Sequence, residues 1–200
     1  MGRKSKADER KPEILRSAYE VVKQEGLENT TLARIAEHMG VATSLLTHYF
    51  KSKEEIIRQL ADYMVGIYDE SVLLDYSKIT DPKKRIEAIL DARLWEFSRQ
   101  VVEDRVWYDV YNLSLRNERI KKYFKDLYQR DASAVKRELD IVLKDAPDSI
   151  DTEALSVAVI TMSEGLGYYN SIINDDKHVD AAAALMKDMF MTYFEKLKNN

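Results

Sequence analysis

Polar side chains recur at helical spacing in one short segment of the chain, and their chemistry suits DNA. Thr43, Ser44, Thr47 and His48 share a segment whose other residues are mostly apolar or aromatic. Hydroxyl and imidazole groups donate or accept hydrogen bonds at base edges and phosphates. We predict that these four side chains form the outward face of a helix that lies in the major groove.

The surrounding segment, residues 30–53, reads TTLARIAEHMGVATSLLTHYFKSK and predicts two short helices joined by a tight turn. Thr31 can cap the first helix. Its apolar residues share one face, and they are Leu32, Ile35, Ala36 and Met39. Gly40 ends that helix because glycine tolerates positive φ. The second helix, over residues 43–49, completes a helix-turn-helix.

This segment resembles the N-terminal DNA-binding domain of the TetR/AcrR family of bacterial repressors. The matching positions are Gly26, Thr30 and Thr31, Ile35 and Ala36, Gly40 and Val41, Tyr49 and Phe50, and Ser52, Lys53 and Glu54. The resemblance covers about the first quarter of the chain. The family often has Gly or Pro where this chain has Ser44, and Tyr where it has Thr47. The run 46–50 is closer to the choline-responsive branch, which carries a small hydroxyl residue there.

The resemblance implies phosphate contacts around the reading helix. Thr47 and Tyr49 are expected at the groove edge, Thr31 at the start of the preceding helix, and Lys53 at the start of the next. Arg3, Lys4 and Lys6 either follow the DNA backbone or enter the minor groove, or they form a solvated tail. The predicted DNA-binding set is therefore Arg3, Lys4, Lys6, Thr31, Thr43, Ser44, Thr47, His48, Tyr49 and Lys53.

Composition excludes several other classes of protein. The 200 residues contain no cysteine, so disulfides and thiolate metal sites are excluded. The three histidines are scattered, and no acid–base, nucleophile or metal pattern occurs, so we expect no enzyme, cofactor or metal. No apolar run approaches a membrane span, and residues 1–11 lack the apolar stretch of a signal peptide. We expect a cytoplasmic protein.

Charge is unevenly distributed along the chain. The net charge is −4. Residues 1–53 carry ten Lys or Arg against seven Asp or Glu, whereas the remainder carries twenty-one against twenty-eight. This asymmetry fits a small DNA-facing domain on an acidic body.

Low glycine and proline content and long 3.6-residue periodicities predict an all-α protein of about nine helices. Helix one is expected to start at Pro12 and end at Gly26. A long fourth helix starts at Lys53, and later helices are expected at 82–100, 103–115, 118–143, 152–173 and 179–197. We expect residues 1–53 to be the helix-turn-helix domain and residues 54–200 a helical ligand-binding and dimerisation domain.

Aromatic residues on the fifth, sixth and eighth helices are candidates for a ligand pocket. They are Trp95, Trp107, Tyr108, Tyr111, Tyr168 and Tyr169. In TetR-like proteins the corresponding helices surround an inducer cavity. Aromatic faces also attract cations, and Glu96, Asp109 or Glu164 could neutralise such a ligand. The alternative is that the aromatics belong to an ordinary core.

The last two helices carry apolar and small residues suited to a subunit interface. The predicted interface contains Ala158, Gly165, Met186, Met189, Phe190, Tyr193 and Phe194. Paired across a twofold axis, these helices would form a four-helix bundle. The alternative is that both faces pack within one subunit.

Together these features predict a homodimeric repressor that binds a palindromic DNA operator and is released by a small-molecule inducer, with helix four carrying the signal. Within regulators, the sequence leaves activation open beside repression. A different reading is a helical protein-interaction or small-molecule carrier module with a silent head, but such a head should have lost its polar reading face.

Overall fold

The computed structural model describes residues 6–72, 76–96, 102–144 and 150–198. Every regular element in these ranges is helical, which confirms the all-α prediction. The described α-helices are α1 (Lys6–Glu25), α2 (Leu32–Met39), α3 (Thr43–Tyr49), α4 (Lys53–Val72), α5 (Pro82–Asp91), α6 (Asp104–Ser114), α7 (Glu118–Val142), α8 (Thr152–Ile173) and α9 (Asp176–Lys198). A 3₁₀ turn covers Tyr76–Lys78, and a π-helical turn covers Ala92–Glu96.

The helices form two compact units. Residues 1–72 and 102–126 make up the head unit, and residues 73–101 and 127–200 make up the body unit. Within the head unit, α4 and α6 both pack against α1. The predicted functional boundary between residues 53 and 54 stays a prediction.

The head unit is built around an apolar core that orients the helix-turn-helix. Ile14 and Ala18 are one helical turn apart on α1, and both are completely buried. Their core cluster contains Ile14, Leu15, Ala18, Val21, Ile35, Ala36, Leu46, Phe50 and Ile56. Because the cluster buries Leu46 and Phe50, α3 must turn its opposite face outward.

α1 differs from its predicted start. It begins at Lys6, so Pro12 lies inside the helix rather than at its first turn. Residues 6–11 are mostly good helix formers, and their propensity outweighs the single hydrogen bond that proline removes. The helix ends as predicted, with Gly26 at φ +82°.

The body unit contains a larger apolar core, to which α5, α7, α8 and α9 contribute. α5 begins at Pro82, and the Asp81 carboxylate caps it by accepting a hydrogen bond from the Lys84 amide at 2.9 Å. The predicted helix over 82–100 is instead α-helical only to Asp91 and continues as the π turn. A π turn shifts side-chain register, which here accompanies the burial of Arg93. Residues 97–101 lie outside the described ranges.

The two C-terminal helices match the sequence pattern closely. α8 has its predicted bounds, and the Asp151 carboxylate caps it through the Ala154 amide. Asn174 ends it in the left-handed region at φ 52°. α9 starts at Asp176, three residues before the predicted Val179. Among the described residues, no helix combines the length and apolarity needed to cross a membrane.

Candidate functional site

The outward face of α3 carries the predicted polar residues. Thr43, Ser44, Thr47 and His48 are all exposed. Tyr49 is half-buried, and its ring meets the His48 ring edge-on at 5.0 Å. The structure therefore presents these side chains on a short, firmly seated helix, and their contacts with DNA stay predictions.

Two threonine hydroxyls have different hydrogen-bonding capacities. Thr47 Oγ1 donates to the Ser44 carbonyl at 3.0 Å, so its hydrogen is used within α3. In this rotamer Thr47 can only accept, which suits a base amino group but not a phosphate oxygen. Thr31 Oγ1 instead accepts from the Arg34 amide at 3.2 Å and keeps its hydrogen to donate. Thr31 is the better phosphate donor of the two.

Lys53 holds the turn between α1 and α2. Its Nζ donates to the Leu27 carbonyl at 2.7 Å and to the Glu28 carbonyl at 3.2 Å. An ammonium group has three hydrogens, so one remains for a further acceptor. The predicted phosphate contact of Lys53 stays a prediction, and the structure adds a positioning role.

α6 holds the same turn from another side, through contacts that the sequence did not reveal. The Asp109 carboxylate accepts from the Leu27 amide at 2.9 Å, and Arg105 donates to the Gln24 carbonyl at 3.2 Å. A Cβ on Gly26 would lie 2.9 Å from the Arg105 guanidinium, so the glycine lets this side chain pack against the backbone of the turn. Asp109 is one of three carboxylates that the sequence offers as a counter-charge for a ligand or as a plain surface charge, and in the structure it bonds the turn instead.

Arg34 lies next to Thr31 and is paired with two carboxylates. Its guanidinium contacts Glu25 through two hydrogen bonds of 2.7 and 3.0 Å and Glu37 through one of 2.8 Å. The hydrogen bond to Glu25, followed by the negative charge of the same carboxylate, raises the pKa of Arg34. Glu25, Asn29, Thr31 and Arg34 line one open depression at the start of α2.

The predicted N-terminal arm is largely outside the described residues. Arg3 and Lys4 lie outside the described ranges, and Lys6 is the first residue of α1. The predicted minor-groove or backbone contacts of these three residues stay predictions.

The six predicted pocket aromatics are divided between the two units. In the head unit, Trp107 is buried and meets the Phe124 ring edge-on at 5.3 Å, as does half-buried Tyr111. Tyr108 is also half-buried. Trp107 and Tyr111 take part in the packing of α6 with α7.

The body-unit aromatics occupy two different surroundings. Trp95 is half-buried in the π turn, and the Lys187 ammonium lies 5.8 Å from its ring centroid while also contacting the Asp91 carboxylate at 2.5 Å. Tyr168 and Tyr169 are 57% and 50% exposed, which corrects their placement in an enclosed pocket within the chain. The Glu96 side chain is outside what the structure describes.

A buried polar cluster joins the π turn to α7 and α8 in the body unit. The Arg93 guanidinium donates to the Asp131 carboxylate through two hydrogen bonds, of which the Nη1–Oδ2 bond is 2.6 Å. The Tyr128 hydroxyl donates to the Glu164 carboxylate at 3.1 Å, and Ser163 donates to the Arg93 carbonyl at 2.7 Å. Burial raises the pKa of Glu164, and the nearby Asp131 charge raises it further.

Part of the predicted interface is exposed, and part of it is not. The exposed large apolar residues of α8 and α9 are Val157, Tyr168, Tyr169, Ile172, Ile173, Leu185, Met189 and Tyr193. We call this set the α8–α9 face. Gly165 is exposed, whereas Ala158 and Met186 are half-buried. Phe190 and Phe194 are 8% and 2% exposed within their own chain, so the expectation that they lie at the interface is corrected: they belong to the body core.

Comparison with known proteins identifies the DNA-binding domain. The sequence pattern of bacterial regulatory proteins of the tetR family matches residues 14–60, which span the described helix-turn-helix and its supporting helices. Residues 14–60 are a tetR-type DNA-binding domain. The whole chain is 22% identical to the HTH-type transcriptional regulator BetI of Vibrio campbellii over 196 residues, covering 94% of this chain and 96% of that protein. The relatives found in this comparison are named as transcriptional regulators.

Solved structures show the same fold over nearly the whole chain. A transcriptional regulator from Saccharomonospora viridis in complex with choline superposes with a TM-score of 0.72 and 21% identity, covering 90% of this chain and 94% of that one. A TetR transcription regulator from Haloarcula marismortui gives a TM-score of 0.75 at 18% identity, covering 90% and 95%. Both units of the chain therefore follow a known fold.

The polar contacts of the TetR-family head were the part that sequence reasoning missed. Glu25, Arg34, Arg105 and Asp109 hold or flank the α1–α2 turn. A charge pattern could have suggested the i, i+3 pair of Arg34 with Glu37. The contacts between distant residues left no local signal.

Proposed function

We propose that this TetR-family regulator is a repressor that occupies a palindromic operator as a homodimer and leaves it when a small molecule binds. The observation on which this proposal rests is the polar outward face of α3. Leu46 and Phe50 are completely buried on the opposite side and hold the helix in place. One helix of seven residues reads few base pairs. Two copies related by twofold symmetry read two half-sites, which gives useful specificity.

The α8–α9 face supports the homodimer. Eight large apolar side chains are exposed on α8 and α9, which pack against each other. Large exposed apolar areas mark sites of interaction with a partner. A twofold axis brings the same face of each copy together and forms a four-helix bundle. Gly165 on α8 allows close approach, because no atom would lie within 4 Å of a Cβ there.

A cation is the ligand class that the body unit favours. The S. viridis regulator was solved with choline. The buried polar cluster of this chain carries one positive charge, on Arg93, and two negative charges when ionised, on Asp131 and Glu164. Trp95 lies on the same π turn as Arg93. A bound cation would compensate the extra carboxylate, and an aromatic face adds attraction.

The response is a shift between two populations. A ligand weakens operator binding only if it binds the non-DNA geometry more tightly. α4 and α6 both hold the α1–α2 turn, so a displacement of either changes the support of the reading helix. This extends the sequence prediction, which assigned the signal to α4. The proposed compartment is the cytoplasm, and no membrane partner is proposed.

A helical carrier or protein-interaction module with a silent head is the alternative function. It requires no polar reading face on α3. The four exposed residues there therefore favour the DNA-binding proposal.

Selection of bound duplexes from a random pool, at near-physiological salt with the full chain, tests DNA reading. We expect a palindromic consensus whose half-sites lie about one helical turn, or a multiple of it, apart. The double variant Thr43→Ala/His48→Ala changes only exposed side chains and should lose the consensus while remaining folded. Failure of the wild-type chain to enrich any sequence, with or without dialysis against ligand-free buffer, contradicts the proposal.

A matched pair of variants tests the homodimer. Met189 is 64% exposed on α9, whereas Leu115 is 71% exposed in the head unit. Met189→Glu should convert the chain to a monomer in sedimentation, because it buries a charge at the proposed interface. Leu115→Glu should leave the dimer intact. Equal behaviour of both variants contradicts this interface.

A further inference from the structure

We propose that Arg34 is a phosphate-binding residue that Glu25 and Glu37 occupy in the free protein, so that operator DNA must displace a carboxylate to engage it. This inference rests on the proposed DNA binding. It adds a residue outside the predicted DNA-binding set, together with a built-in competitor for that residue.

The first step is the geometry of the guanidinium. Glu25 contacts Nη2 at 2.7 Å and Nε at 3.0 Å, which is the two-pronged arrangement that arginine also makes with phosphate. The third contact, from Nη1 to Glu37, is 2.8 Å. The two carboxylates thus use the same donors that a phosphate would need.

The second step is location. Arg34 lines the same open depression as Thr31, whose hydroxyl keeps a hydrogen to donate. A phosphate that meets Thr31 at the start of α2 is therefore within reach of the Arg34 side chain. The exposed amides at this helix end favour an anion as well.

The third step is the balance of charge. Arg34 with its two carboxylates carries a net charge of −1, so the free surface here repels a phosphate. The Arg34 side chain is 48% accessible, and the Glu37 and Glu25 side chains are 69% and 27% accessible. Ion pairs that stay in contact with water contribute little and are screened by salt, so a phosphate can replace the half-buried Glu25 carboxylate at a low cost in free energy.

The test measures binding of the full chain to the duplex selected from the random pool and to an unrelated duplex, across a range of salt concentrations. Glu25→Gln should tighten binding to both duplexes by about two- to fivefold, the range that exposed ion pairs contribute. Arg34→Gln should weaken binding to both and reduce the salt slope by about one per contact. Glu37→Gln should act as Glu25→Gln does and serves if that variant unfolds.

The decisive comparison is the double variant Arg34→Gln/Glu25→Gln. If Glu25 acts by occupying Arg34, the gain from Glu25→Gln disappears in the Arg34→Gln background. If the gain persists there, or if Glu118→Gln on α7 gives the same gain, the effect is only general loss of negative charge and the proposal is overturned. Failure of the wild-type chain to bind any duplex would instead contradict the proposed function.

Discussion

Replacement of Asp131 by Asn should strongly destabilise the body unit, because it removes the charge of the carboxylate to which the buried Arg93 guanidinium donates two hydrogen bonds. The two side chains are only 5% and 3% exposed, and the guanidinium donates two hydrogen bonds to the carboxylate. Removal of one member of a buried ion pair costs about 3–5 kcal/mol. Whole domains are stable by about 5–15 kcal/mol, so this single change removes a large fraction.

Urea unfolding followed by circular dichroism measures the effect, at one fixed protein concentration because the proposed dimerisation would add to apparent stability. The midpoint for Asp131→Asn should fall by about 1 M or more. Asp140→Asn is the control on the same helix, since its exposed pair with Lys136 should cost about 1 kcal/mol or less. Equal midpoints for the two variants would refute the reasoning.

A double variant separates the net contribution of the Arg93–Asp131 pair to the free energy of unfolding from the cost of removing only one partner. Arg93→Met/Asp131→Leu removes both charges and keeps apolar volume. It should recover most of the lost stability, because well-packed apolar replacements of buried ion pairs are often neutral or stabilising. A double variant as unstable as the sum of the single changes would show that the two residues act independently.

Two further predictions concern Glu164 and two glycines. Because burial raises the pKa of Glu164, its contribution to stability is complete below the unfolded value of 4.5 and is lost as pH rises through the raised pKa. Glu164→Gln, which keeps an acceptor for Tyr128, should therefore have a higher urea midpoint than wild type at neutral pH, and the difference should shrink below about pH 4. An unchanged midpoint at neutral pH would contradict this prediction. Gly40→Ala should lower the free energy of unfolding by about 1–2 kcal/mol, because its φ is +67°, and no clash adds to this since no atom lies within 4 Å of the new Cβ. Gly26→Ala should lower it further, because the Arg105 side chain must also move. A lower melting temperature for Gly40→Ala than for Gly26→Ala would contradict this assignment of strain.

Local patterns predicted the head well. A capping threonine, a glycine that tolerates positive φ and an apolar face at helical spacing all lie within a few residues of one another along the chain. Thr31 and Gly40 mark the ends of α2, and Leu46 is buried, as that pattern requires. The predicted bounds of α8 are also correct, and the structure shows local signals at both ends, the Asp151 cap and Asn174 in the αL region.

Contacts between distant residues could not be predicted in this way. Asp109 is 82 residues from Leu27, and Asp131 is 38 residues from Arg93. Composition shows that such charges exist but not which partner each one finds. Polarity patterns also could not divide the broad apolar stripe of α9, where Met189 is exposed and its neighbour Phe190 is buried.

The α1–α2 turn is the point at which small movements can have large effects on DNA binding. Lys53 on α4 bonds the Leu27 carbonyl, and Asp109 on α6 bonds the amide of the same residue. Hydrogen bonds to charged groups contribute about 1.5–3 kcal/mol each and weaken steeply once the distance exceeds the usual range. Allosteric coupling amounts to about 1–3 kcal/mol. Loss of a single one of these two bonds would therefore match in size the coupling that the proposed regulatory response needs, without any rearrangement of the head core.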